Sequence, residues 1–339
     1  MNRNNLISLS KSIGNNLDLT QGAGGNTSVK DGKVMWVKAS GYCLQDAGVK
    51  NIFVPVNYPG ILRRLEKGQD NPVEPEIIKE NHGETLRPSI ETTLHALMPH
   101  RYVIHVHSVN VLAKAVVRKG EEVFHKLLNG IKWSWIPYAR PGVPLTKEVQ
   151  RATQLDPDVL VLANHGLVLG GDTAEEAENL LNDIERRLNC FRRETPAISM
   201  QEINSLTEGT EYKPSKYDLV HSLAFDQVAL EIVGKGSLYP DHVVFLGPGP
   251  MPTMKTYEAQ DYLSLSFGNT SQYHQAIIVV GYGVIIHKSL SEGAEVMLHC
   301  LINTLLRIQS HDDLRYLTKE EEAELMGWDA EKYRKKIQQ

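Results

Sequence analysis

Arg101-Tyr-Val-Ile-His-Val-His107 decides the reading of this chain. Tyr102, Val103 and Ile104 form an apolar, largely β-branched run that predicts a buried strand. Alternate residues of a strand share a face, so His105 and His107 project to the same side and converge at the strand's end. Upstream, Pro88 suits the first position of a helix that carries Ser89, Glu91 and His95 and stops at Pro99. Downstream, Asp158-Val-Leu-Val-Leu-Ala-Asn-His165 reads as a second apolar strand closed by a third histidine, with Gly166 next. Three histidines and a nearby acid are what an open catalytic metal site needs.

The surrounding composition narrows the setting. A chain of 339 residues is long enough for two ordinary domains. Its 41% hydrophobic and 23% charged content is that of a soluble globular protein. A net charge of -5 without a Lys/Arg-dense block gives no reason to expect nucleic acid or a membrane surface. Cys43, Cys190 and Cys300 are scattered, as reduced cytoplasmic thiols are. The first residues lack the apolar core of a signal peptide. The apolar run from Ala276 to Ile286 is too short to cross a bilayer. These features point to a cytoplasmic enzyme.

Before the histidine strand, residues 1–15 read as a helix. Asp31-Gly32 separates two alternating runs and predicts a hairpin. Ile52–Val56 reads as a strand and Tyr58–Lys67 as a helix. After it come helices near Val109–Arg118, Glu121–Leu128 and Lys147–Gln154, a strand at Trp133–Tyr138, and a long amphipathic helix over Thr173–Arg193 whose acidic first turn suits the helix dipole. The chain then becomes polar. The expected organisation is a catalytic domain over 1–200, a linker over 201–211 and a C-terminal α/β domain without a metal site over 212–339.

The C-terminal part echoes the first. Ile278–Glu295 aligns without gaps on Val161–Glu178, placing Tyr282 opposite His165 and Gly283 opposite Gly166. Val243–Leu246 with Gly247-Pro-Gly249 is a fainter echo of the Trp36 strand and Ser40-Gly41. Too few residues lie between these echoes to repeat the Glu91 helix and the histidine pair, so the segment reads as a shortened, degenerate partial repeat. The alternative is two unrelated strand–turn–helix units. A second Gly-Asn-Thr-Ser at Gly268–Ser271 is read as coincidence.

One buried histidine satisfied by hydrogen bonds is common, whereas three at the ends of apolar strands are not. The other histidines are read as surface or core residues. His95 is set apart because, one helical turn after Glu91, it can orient that acid. Glu91 itself has three readings: surface acid, fourth metal ligand, or general base. Gly22–Ser28 is either a tight turn or an anion cradle in which glycine N–H groups and Asn26 face a phosphate, completed by Ser40-Gly41 and Ser89.

Taken together, these residues resemble the class II aldolase/adducin family over residues from about 5 to 195. The motifs are Gly25-Asn26-Thr27-Ser28, Lys38-Ala-Ser40-Gly41, Pro88-Ser89-Ile90-Glu91 with His95, His105-Val-His107, Pro137-Tyr138-Ala139 with Gly142, and Asn164-His165-Gly166. The resemblance implies α/β/α layers around a mainly antiparallel sheet, and a homo-oligomer, typically a tetramer, with active sites at subunit interfaces. It implies that His105, His107 and His165 hold Zn2+ and that Glu91 is the acid/base. Tyr138 would be the catalytic tyrosine reaching a neighbouring subunit's site, and Asn26, Ser40, Gly41 and Ser89 would bind phosphate. Ile90 departs from the pattern: family aldolases often carry a second serine there. The implied reaction is reversible aldol cleavage of a ketose, expected as a sugar phosphate, to a hydroxyketone and an aldehyde through a metal-stabilised enediolate. Epimerase, dehydratase and decarboxylase chemistry on the same fold are alternatives, as is an adducin-like binding protein. The part beyond about residue 212 has no counterpart in the short aldolases.

Overall fold

The computed structural model describes residues 3–79, 86–196, 198–265 and 273–327. The chain divides near Asn189 into two compact units, the second built from Cys190–Gly327. The Gly268–Ser271 motif lies outside the described residues.

The first unit runs α1 (Asn4–Gly14), β1 (Asn26–Asp31), β2 (Val34–Lys38), β3 (Phe53–Asn57), α2 (Tyr58–Glu66), α3 (Thr92–Leu97), β4 (Tyr102–Val106), α4 (Val109–Ala115), α5 (Gly120–Leu127), β5 (Trp133–Ile136), α6 (Val143–Ala152), β6 (Val159–Leu162), β7 (Gly166–Gly171) and α7 (Ala174–Leu188). Its seven strands lie in the order β3-β2-β1-β4-β7-β6-β5. Every neighbouring pair is antiparallel except β5 and β6. This is the expected mainly antiparallel sheet.

Period-2 alternation sorts the strands' side chains into two cores. Ile104 and Val106 of β4 pack with Leu6, Leu9 and Ile13 of α1, Phe124 of α5 and Leu181 of α7. Val103 packs on the opposite face with Leu94 of α3 and Leu145 and Val149 of α6. Both faces of β4 are therefore covered, which explains why its sequence is continuously apolar up to the histidines. His105, at the same parity as Val103, belongs to the α3 face.

Several local expectations shift. Asp31 pairs with Val34, so Gly32 (φ 58°) and Lys33, not Asp31-Gly32, form the hairpin loop. The helix expected from Pro88 begins only at Thr92. Pro88 instead bridges Ala39, and Glu91 occupies the cap position. The strand expected to run to His165 ends at Leu162. The chain reverses through Ala163–His165, with Asn164 at φ 52°, and returns as a further strand, β7.

The second unit contains α8 (Met200–Thr207), β8 (Tyr212–Pro214), α9 (Asp218–His221), α10 (Gln227–Val233), α11 (Pro240–Leu246), β9 (Thr253–Met254), α12 (Thr256–Ser264), β10 (Ala276–Val279), β11 (Gly283–His287), α13 (Glu292–Leu305) and α14 (Lys319–Gly327). Its sheet has the order β8-β11-β10-β9, with only β10 and β9 parallel. That is the topology of β4-β7-β6-β5, in the same chain order. The turns match too: His165 N–H donates to the Leu162 carbonyl at 3.1 Å and Tyr282 N–H to Val279 at 2.9 Å.

Two echo expectations are corrected by this match. Val243–Leu246 falls in a helix, α11, and so cannot mirror the Trp36 strand. The counterpart of β4, judged absent from the sequence, is β8, and α8 precedes it as α3 precedes β4. Pro214 pairs with Ile285, the aligned equivalent of Val168, which pairs with His105. Proline thus stands where His105 stands, Lys216 where His107 stands and Tyr282 where His165 stands. None of these three carries an imidazole.

Candidate active site

β4 delivers His105 and His107, and the β6–β7 turn delivers His165. The register of β4 with β7 sets His105 opposite Val168 and Val106 opposite Leu167, which brings the turn beside the strand's end. The approach is close: a Cβ on Gly166 would fall 2.4 Å from the Val106 carbonyl oxygen, so only glycine fits after His165. All three histidines are buried. Their ring centroids form a near-equilateral triangle with sides of 4.9, 5.1 and 5.2 Å.

The ligand atoms of the three lie within 4.8 Å of one another. His105 Nδ1–H donates to the Leu167 carbonyl at 3.0 Å, leaving its Nε2 lone pair aimed inward. That Nε2 stands 3.0 Å from His107 Nε2. Two imidazole nitrogens so close need a proton or a cation between them. Zn–N bonds of about 2.0–2.1 Å at tetrahedral angles separate neighbouring ligand nitrogens by about 3.3 Å, so this cluster has the geometry to ligate a divalent cation.

Glu91 closes the fourth side. Its Oε2 is 3.2 Å from His105 Nε2 and its Oε1 3.2 Å from His165 Nε2. Burial pushes the carboxyl towards protonation, but the imidazoles of His105 and His165 outweigh burial and hold it well below the usual carboxylate range. The acid is therefore ionised and faces the place where a cation would sit.

The expected anion-binding residues also gather here. Ala39 bridges Pro88, Ser40 N–H donates to Arg87 and Ser89 N–H to Lys38, so Ser40 and Ser89 flank that bridge, one on either side. Gly41 follows at φ 83°. Asn26, paired with His105 across β1 and β4, donates from Nδ2 to Ser89 Oγ at 3.1 Å and to Glu91 Oε2 at 3.0 Å. A cleft of about 880 Å³ opens beside Ser89, walled by Pro88, Ile90, Thr93, Gly142 and Thr146. Tyr138 is half-buried two residues past Ile136. Ile136 pairs with Leu162, so Tyr138 leaves the sheet at the end where His165 turns.

Two contributors carried no role in the sequence reading. The fully buried Lys38 donates from Nζ to the carbonyls of Ala23 (3.0 Å), Ala39 (3.4 Å) and Tyr42 (2.6 Å). It ties the glycine-rich turn to the Ser40-Gly41 turn. A lysine ending an otherwise apolar strand beside a glycine turn was the available signal. Ser28 is the other: its hydroxyl meets His95 Nδ1 at 2.7 Å.

Comparisons with known proteins concern the first unit. The family model for the class II aldolase and adducin N-terminal domain matches residues 4–191. Among curated proteins, the uncharacterized oxidoreductase YuxG of Bacillus subtilis (strain 168) is 31% identical over 204 residues, 52% of this chain but 29% of that protein. The chain thus spans less than a third of that relative's length. Among solved structures, the N-terminal class II aldolase domain of a conserved protein from Thermoplasma acidophilum is 27% identical, with a TM-score of 0.50 over 56% of this chain and 92% of its own. An L-fuculose 1-phosphate aldolase is 20% identical over 55% of this chain and 82% of its own, with a TM-score of 0.41. No helix among the described residues is long and apolar enough to cross a membrane.

Proposed function

The chain belongs to the class II aldolase and adducin family, and from that premise we propose that it is a Zn2+-dependent aldolase. It would cleave a ketose, in particular a sugar phosphate, to a hydroxyketone and an aldehyde. The observation that carries this reading is the convergence of three imidazole nitrogens within 4.8 Å beside an ionised, buried carboxylate 3.2 Å away. A scaffold protein has no use for such a cluster, whose burial is costly unless a cation and a reaction need it.

His105, His107 and His165 are the proposed ligands. When bound, the cation supplies Lewis-acid stabilisation of the negative charge that develops as the carbon–carbon bond breaks. Glu91 returns a proton to the substrate carbon, or removes one in the synthetic direction. Tyr138, from a neighbouring subunit of a homotetramer, handles the proton on the aldehyde oxygen. Asn26, Ser40, Gly41 and Ser89 hold the phosphate, with the cleft beside Ser89 giving it room. This chemistry is assigned to residues 1–200 of a cytoplasmic protein, and none to the domain over 212–339, where proline, lysine and tyrosine replace the histidines.

The test is metal analysis of the purified full chain, followed by product analysis on a panel of ketose phosphates. One divalent ion per chain is expected, with cleavage abolished by chelation and restored by Zn2+. His165→Asn should lose the ion. A protein free of divalent metal would favour the adducin-like scaffold. Products that keep an intact carbon skeleton would replace aldol cleavage by epimerase or dehydratase chemistry, and release of carbon dioxide by a decarboxylase.

A further inference from the structure

A donor–acceptor chain runs from the core of the first unit into the site, and its direction is fixed at one end. Glu91, as a carboxylate, can only accept. Asn26 lies against it and must therefore present Nδ2, not Oδ1, as it does to both Glu91 Oε2 and Ser89 Oγ. The Asn26 Oδ1 then faces the other way, onto His95 Nε2. A carbonyl oxygen needs a donor, so the proton of His95 sits on Nε2. Its Nδ1 is left as an acceptor, and the Ser28 hydroxyl at 2.7 Å donates to it.

The fold dictates these neighbours. Asn26 and Ser28 are two apart on β1 and share a face, opposite His105 and Val103 of β4. That is the face α3 covers, so His95 sits over both. Asn26, Ser28, His95, Ser89 and Glu91 are all at most 7% exposed, so their bonds are largely shielded from solvent.

We infer that His95 is a positioning residue: its Nε2–H locks the Asn26 amide so that both amide protons face Glu91 and Ser89. This rests on the proposed reading of Glu91 as the proton carrier. The direct helical contact between His95 and Glu91 anticipated from their spacing is replaced by a route through β1. Were the imidazole to take the other tautomer, Asn26 would turn its carbonyl towards the Glu91 carboxylate and repel it. Burial, reinforced by nearby His105, lowers the His95 pKa to about 3, which favours a neutral ring near pH 7.

Two measurements on the metal-loaded full chain test this. The first is the 15N spectrum of the labelled imidazoles, with His95 assigned by its loss in His95→Gln. A neutral Nε2–H ring that does not titrate between pH 5.5 and 8 is expected, and an Nδ1–H ring would overturn the inference. The second is steady-state cleavage of whichever ketose the panel selects. His95→Leu should lower kcat about tenfold or more at unchanged metal content, the equivalent of one lost oriented hydrogen bond. His95→Gln, whose amide can donate to Asn26 and accept from Ser28, should return it to within about threefold. Equal kcat in His95→Leu and wild type would overturn the inference while leaving the aldolase reading intact. Should no ketose be cleaved, or His95→Leu fail to fold, the 15N spectra of the wild type and of Ser28→Ala decide: Asn26 Oδ1 demands the Nε2 proton with or without the serine, so the inference requires an Nε2–H ring in both, and an Nδ1–H ring in either would overturn it.

Discussion

Replacing Glu91 by glutamine separates holding a cation from moving a proton. The substitution keeps shape and volume. Its Oε1 can take the Asn26 Nδ2–H that now lies 3.0 Å from the carboxylate, and its NH2 group then faces His165. Losing the full charge that stands 3.2 Å from His105 and His165 weakens the electrostatic hold on a cation placed among them. Much of that is offset because a neutral amide escapes the desolvation that the buried carboxylate suffers. The three imidazoles remain, so the metal should stay near one per chain. The proton-transfer role disappears entirely, and its loss should slow cleavage by at least about a hundredfold, or ~3 kcal/mol of barrier. Metal content by elemental analysis and kcat on the same preparation give both halves of the result. Near-normal turnover would refute the assigned role of Glu91. Loss of the ion with the activity would make Glu91 a ligand first.

Three further outcomes follow from the packing. Gly25→Ala would put a Cβ at φ 66°, 2.6 Å from Thr20 Cγ2 and 2.9 Å from the His105 carbonyl; a loss of about 2–4 kcal/mol is expected by urea unfolding, and an unchanged midpoint would show that the turn can relax. Lys38→Met leaves the Ala23, Ala39 and Tyr42 carbonyls without their ammonium, so faster amide exchange in residues 22–25 and 40–42 and about 3 kcal/mol of destabilisation should appear. In the second unit, burial lowers the His242 pKa to about 4. Between that value and the unfolded pKa of about 6.5 the unfolded chain binds a proton that the folded one does not, so stability is complete above pH 6.5 and falls by about 3 kcal/mol as pH drops to 4. His242→Gln should flatten this acid slope, and an equally steep slope in the variant would place its origin elsewhere.

The candidate site was legible wherever one residue's chemistry and a local period sufficed. His105 and His107 share a face because a strand alternates, and no partner is needed to know it. The glycine after His165, the acid upstream and the family motifs could likewise be read directly. Less visible was what each side chain would touch. Glu91 is expected inside a helix but stands at the position just before one, because Pro88 is drawn into a bridge with Ala39. His95 was expected beside Glu91 and proved to reach it through Asn26.

Sequence alone determined the histidine strand, the apolar runs that bury it, and the ligand types that suit a divalent cation. Tertiary structure decided that the run after His165 returns as β7, that β5 lies parallel to β6, that Pro240–Leu246 is helical, and that a four-strand topology recurs in the second unit. The division has a physical cause. Side-chain direction along a strand is set by each residue's own backbone, whereas strand partners, register and the donors around a buried carboxylate are set by segments far away in sequence that compete for the same face.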